Sequence, residues 1–210
     1  MDNLKSLIKR GPLLIAVILL LLPLRGFCND NPGCRDCCAD IPYPYFSVSS
    51  NLVPWSAMLV NLAPELQVSR RLSVQVPVMW CPWNISSRRS VTAMALQPEC
   101  RGWLGKPGRG HFAGVHASVA WYNLRNGDDR YQWCGRPLLG AGVSYGYAVQ
   151  LCGCLGMEFT VGVGWVNMRS NHYYNIPDGA MIDRSVTNYF GVDRIGISVR
   201  YTIPLKGGRR

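Results

Sequence analysis

Leu138 to Leu151 reads LLGAGVSYGYAVQL. One set of alternate positions holds Leu139, Ala141, Val143, Tyr145, Tyr147, Val149 and Leu151. The other holds Leu138, Gly140, Gly142, Ser144, Gly146, Ala148 and Gln150. Period 2 is the period of a β-strand, whose successive side chains point to opposite faces. A sheet with one face in water would put Lys, Glu and Asp opposite the apolar set. Here the second set is Gly, Ser and Ala, so the large side chains face something other than a packed protein core.

The same pattern extends along the chain. Met157, Phe159, Val161, Val163 and Trp165 alternate with Glu158, Thr160, Gly162, Gly164 and Val166, and Ile195, Ile197, Val199, Tyr201 and Ile203 with Arg194, Gly196, Ser198, Arg200 and Thr202. Eight such runs follow one another: Tyr45 to Leu52, Asn61 to Ser69, Leu72 to Trp80, Val91 to Trp103, His111 to Tyr122, Leu138 to Leu151, Gly156 to Val166 and Tyr189 to Ile203. No stretch of a dozen residues in this region has a helical period. The expected fold class is all-β, an eight-stranded antiparallel up-and-down transmembrane β-barrel. Lipid would meet the large side chains, and the narrow interior would take small and polar ones. A soluble periplasmic barrel holding an apolar ligand is the competing architecture.

Composition points the same way. Of 210 residues 48% are hydrophobic and only 16% charged, with 22 Gly, 7 Trp and 10 Tyr, against about 25% charged in an ordinary soluble domain. The few charges within strands, Glu65, Glu99, Arg101, Glu158, Arg194 and Arg200, all fall on the non-lipid parity. Three acids and three bases predict an ion-pair network that, with Gln75 and Gln97, closes the interior, because a buried charge is tolerable only when paired. Asp193 breaks the parity and is expected at the strand's start, above the lipid.

Connections alternate between tight (Arg70-Arg71, Leu104 to Gly110, Cys152 to Leu155) and longer (Pro82 to Ser90, Asn123 to Pro137, Asn167 to Asn188). Short turns face the periplasm in membrane barrels and long loops face outward. That orientation places Trp80, Trp121 and Trp165 near the outer ends of ascending strands as an aromatic girdle, with Tyr147 and Tyr201 as the inner belt.

The N-terminus carries Lys5, Lys9 and Arg10, an apolar run from Leu13 to Leu24, and Gly26-Phe27-Cys28 as a cleavage site, the organisation of a secretory signal peptide. The run is shorter than the roughly 20 residues of a spanning helix. Phe27 is bulky for a lipoprotein signal, which disfavours a lipidated Cys28. The chain thus divides into a signal peptide (1–28), a cysteine-containing periplasmic extension (29–44), the barrel (45–204) and a basic tail (205–210). Removing residues 1–28 reduces the formal +10 to about +7, 18 basic against 11 acidic residues, and no remaining basic run resembles a nucleic-acid surface.

Cys34, Cys37 and Cys38 cluster in the extension, and Cys152 and Cys154 flank a turn; eight cysteines in an oxidising compartment predict one or two disulfides among them. Metal sites and cofactors are not expected, since only the three extension cysteines lie close together. His116 lies on interior parity two residues before Ser118, with Glu65, Glu99 or Glu158 as third members of a Ser–His–Glu set. A hydrogen-bonded interior histidine is the preferred reading, because barrel enzymes that deacylate lipid A attack from the lipid side. His172, Tyr173 and Tyr174 in the last long loop suit contact with a partner or sugar, and Arg88-Arg89 suits lipopolysaccharide phosphates at the rim.

Asn61 to Val76 (NLAPELQVSRRLSVQV), Leu96 to Gly105 (LQPECRGWLG), His111 to Leu124 (HFAGVHASVAWYNL), Leu138 to Tyr147 (LLGAGVSYGY) and Asn188 to Tyr201 (NYFGVDRIGISVRY) lie in order over Phe46 to Ile203. Together they resemble a family of small outer-membrane β-barrels of unknown function from Gram-negative bacteria, often encoded near surface fimbria genes. The cysteines and the N-terminal extension depart from its pattern. The resemblance implies a fold and an outer-membrane location but no activity. The expected function is a non-catalytic structural, surface-interaction or fimbria-assembly role. Expected partners are outer-membrane lipid, lipopolysaccharide and surface or fimbrial proteins, with no nucleic acid. A lipid A-modifying hydrolase is the alternative.

Overall fold

The computed structural model describes residues 44–205 except 57–58, 87–88, 134, 153 and 177–178. The strands are β1 (Tyr45–Asn51), β2 (Val60–Gln67), β3 (Leu72–Gln75), β4 (Val78–Ser86), β5 (Arg89–Leu96), β6 (Glu99–Trp103), β7 (Gly110–Asn126), β8 (Asp129–Trp133), β9 (Leu138–Cys152), β10 (Leu155–Tyr174) and β11 (Met181–Pro204). One short helix, α1 (Leu52–Ser56), links β1 to β2.

These strands fill eight positions in a ring, because three positions are held by strands broken in the middle. β3 and β4 both pair with β2, Gln75 opposite Glu65 and Met79 opposite Asn61. Pro77 lies at their junction and has no N–H to give to a ladder. β5 and β6 part at Pro98, and β8 and β9 at residues 134–137, which end in Pro137. Pairing carries across the first two breaks: the Gln97 amide donates to the Pro77 carbonyl at 3.0 Å and the Ala117 amide to the Pro98 carbonyl at 3.0 Å. The ring closes where β1 pairs with β2 on one side and with β11 on the other, from Tyr45 opposite Pro204 to Asn51 opposite Ser198. Every pairing between neighbouring positions is antiparallel.

The long connections are largely strand. β4 and β5 pair up to Ser86 opposite Arg89, β7 and β8 from Asn123 opposite Gln132, and β10 and β11 from Asn167 opposite Asn188 to Tyr173 opposite Met181. Gly127, with φ +68°, supplies the left-handed turn between β7 and β8. The expected loops are therefore hairpins standing above the ring. In the last of them the sequence hides this because Met181 to Phe190 are exposed on both faces, so nothing selects an apolar/polar alternation there.

Inside and outside are inverted relative to a soluble domain. Leu62, Leu66, Val74, Trp80, Val115, Val143 and Val163 are exposed, whereas Ser47, Glu65, Ser73, Gln75, Glu99 and Arg101 are buried. The buried apolar cluster is small: Trp103, Phe112 and Ala148. Glycines on the inner face make room for large neighbours. A Cβ at Gly146 would clash with the Phe112 ring and lie 2.6 Å from the Phe159 carbonyl oxygen. Gly146→Val is accordingly expected to destabilise the protein by about 1–3 kcal/mol or more through overpacking, read as a lowered urea midpoint at unchanged slope.

Candidate functional site

The interior is organised around Arg101. Its position on β6 places it two residues from Glu99 on the same face, while Glu65 enters from β2, Gln75 from β3 and Glu158 from β10. Nε donates to Glu99 at 2.6 Å, Nη1 to Glu65 at 3.3 Å and Glu158 at 3.0 Å, and Nη2 to Gln75 at 2.6 Å and Glu158 at 2.8 Å. The guanidinium also stacks over Phe112 at 4.5 Å. One planar group thus ties together four strands across the ring, using the fork geometry that distinguishes arginine from lysine.

Two arginines of β11 complete the cluster. Arg194 donates to Gln75 at 3.0 Å and pairs with Glu99 at 3.1 Å. Arg200 lies 3.9 Å from Glu65, donates to the Gly108 carbonyl and faces the Trp103 ring. Gly108, buried with φ +79°, folds the turn between β6 and β7 in against that end of the interior. Hydroxyls satisfy the carboxylates further: Tyr45 donates to Glu65 at 2.9 Å, Thr160 to Glu158 at 3.1 Å, and Ser144 to Glu99. The structure therefore brings Glu65, Glu99, Arg101, Glu158, Arg194 and Arg200 into one connected cluster.

Asp193 is a correction. It does not stand above the ring but faces the interior, its Oδ2 2.8 Å from His116 Nε2. The cause is a register shift: Gly162 is opposite Arg194 but Val163 is opposite Val192, which leaves Asp193 as an extra residue in a β-bulge. The bulge turns two consecutive residues inward, which no period-2 reading of the sequence can detect. The Ser–His–Glu set is not assembled, since His116 is committed to Asp193 and Ser118 Oγ accepts from Gln97 Nε2 at 3.1 Å.

Of the girdle residues, Trp80, Trp165 and Tyr201 are exposed, and Trp121 and Tyr147 partly so. His111, which sequence reasoning passed over, joins Tyr147: their rings are 4.5 Å apart, and His111 Nδ1 lies 2.7 Å from the Tyr145 hydroxyl. His172 stacks on Tyr131 at 4.4 Å with Nε2 2.7 Å from Asp129, which fixes the β8 hairpin to β10. Cys154 is a free thiol, as are Cys81 and Cys100. Cys34, Cys37, Cys38, Arg88 and the side chains of Arg89 and Cys152 lie outside the described residues.

Four carboxylates (Glu65, Glu99, Glu158, Asp193), three guanidinium groups (Arg101, Arg194, Arg200) and the His116 imidazole thus line the interior, each with at least one polar partner. Among the described residues, His116 bonds Asp193 through Nε2 and its Nδ1 has no hydrogen-bond partner. The fold and this interior define a closed antiparallel ring with an apolar wall and a charge-paired centre. The chain belongs to the DUF3575 family, proteins of unknown function, which it matches over residues 31–203. No curated protein and no solved structure is a match.

Proposed function

We propose that the protein is an integral outer-membrane β-barrel of Gram-negative bacteria with a plugged, polar interior, exported by a cleaved signal peptide. It serves a non-catalytic structural, surface-interaction or fimbria-assembly role. The observation that carries this reading is the inversion itself. Val115, Val143 and Val163 stand side by side on the exterior at 59%, 53% and 43% exposure, while Arg101 and Arg200 are fully buried. A contiguous apolar wall of this kind is stable in lipid and a liability in water. β9 has 15 residues, more than the roughly 9–11 a tilted strand needs to cross a bilayer. The short turns then face the periplasm, and the β4–β5, β7–β8 and β10–β11 hairpins reach outward toward lipopolysaccharide and surface or fimbrial proteins. Phe190, 79% exposed and directly opposite Trp165, extends the apolar wall at the level of the outer girdle.

Cell fractionation tests the location. The protein is expected in the detergent-extracted envelope, with a faster-migrating compact species on unboiled gels. Release by osmotic shock would overturn the proposal. Overproduction is expected to leave the mass of lipid A unchanged, and a shift in that mass would remove the non-catalytic part of the reading.

A further inference from the structure

Beside the charge cluster, toward the hairpin end, lies a partly open cavity of about 190 Å³ lined by β1, α1, β2, β3, β4, β10 and β11. The bulge on β11 sends both Asp193 and Arg194 to its wall. Each already has one partner, Asp193 bonded to His116 and Arg194 paired with Glu99. Each also keeps one buried polar atom without a partner: Asp193 Oδ1, an acceptor, and Arg194 Nη1, a donor. Two adjacent residues of a strand normally face opposite sides, so a bulge that turns both into one cavity and leaves both short of a hydrogen bond has a cost that binding would offset.

We propose that this cavity is a binding site for a small, neutral, polyhydroxylated molecule of monosaccharide size. The opposite charges on the wall select the class. The Asp193 carboxylate repels a net anion and the Arg194 guanidinium a net cation, whereas neighbouring hydroxyls accept from Arg194 Nη1 and donate to Asp193 Oδ1. The remaining wall suits a sugar ring, with Ala63, Pro77 and Met79 offering apolar surface to its C–H face. The cavity is a property of the ring and does not depend on the membrane location, so its test stands apart from fractionation.

Calorimetric titration of the purified full-length protein with glucose, and in parallel with glycine and inorganic phosphate, tests the site. Saturable binding is expected for glucose alone. Asp193→Asn, which removes the carboxylate, should weaken it by about tenfold or more. Ala63→Leu should do the same by filling the cavity. Should Ala63→Leu fail to fold, Gly196→Ser is the second filling variant, since the nearest atoms to a Cβ there are Asn51 Nδ2 at 3.3 Å, Thr160 Cβ at 3.5 Å and Asn51 Cγ at 3.7 Å, all in side chains. The proposal is overturned by no saturable heat with glucose, by tighter binding of glycine or phosphate, or by glucose binding that survives both the carboxylate and the filling variants.

Discussion

Arg101→Met is expected to cost about 3–5 kcal/mol and to abolish the compact species under mild denaturant, because removing one partner of a buried ion cluster leaves the others uncompensated. Arg101 makes five hydrogen bonds to three glutamates and Gln75. Without it Glu99 keeps Arg194 and Glu65 keeps the more distant Arg200, while Glu158 retains the Thr160 hydroxyl. Methionine approximates the volume, so the loss reports charge rather than a void. Arg101→Lys should fall between the two, since a point charge cannot satisfy three carboxylates and an amide in one plane. Adding Glu158→Gln to Arg101→Met should recover part of the loss, a coupling that additive surface effects would not give. Urea titrations of the wild type, the two Arg101 variants, Glu158→Gln and the double variant measure this. A cost below about 1 kcal/mol for Arg101→Met, the ordinary range for a point substitution, would mean that the cluster does not hold the ring together.

The ring was legible because its two faces ask for different chemistry at every second residue. Parity alone placed Glu65, Glu99, Arg101, Glu158, Arg194 and Arg200 on one side, and the structure joins them. The same parity could have found Tyr45, Ser144 and Thr160, which satisfy the carboxylates. Those residues drew no notice because a hydroxyl or a tyrosine reads as ordinary strand composition. Three things were beyond a period-2 reading. The bulge at Asp193 shifts phase by one residue, and the glycines beside it, Gly162 at the register shift and Gly164 against the Asp193 carboxylate, read as ordinary members of the small inner set. Met181 to Phe190, the last strand's part of its hairpin, are all exposed and so carry no alternation. His111 carries the parity of the wall but is a titratable residue, and only its contacts with Tyr145 and Tyr147 give it a place.

The second large effect separates a lipid-solvated wall from a water-solvated one. Val143 and Val186 are about equally exposed, 53% and 57%, and both sit on strands. Val143 lies within the closed ring between Val115 and Val163, whereas Val186 stands on the β10–β11 hairpin, well past Asn51 opposite Ser198, where β1 leaves β11. In water the two positions are equivalent, and an exposed valine replaced by arginine changes stability by no more than about 0.5 kcal/mol. In a bilayer they differ. Val143→Arg is expected to cost about 2–4 kcal/mol when the protein is refolded into phospholipid vesicles, the cost of arginine on the lipid face near the midplane. Val186→Arg is expected to stay within about 0.5 kcal/mol, because it remains in water. The paired measurement needs no knowledge of ligand or partner: equal small costs at both sites would remove the membrane from the reading, whatever the fractionation gave.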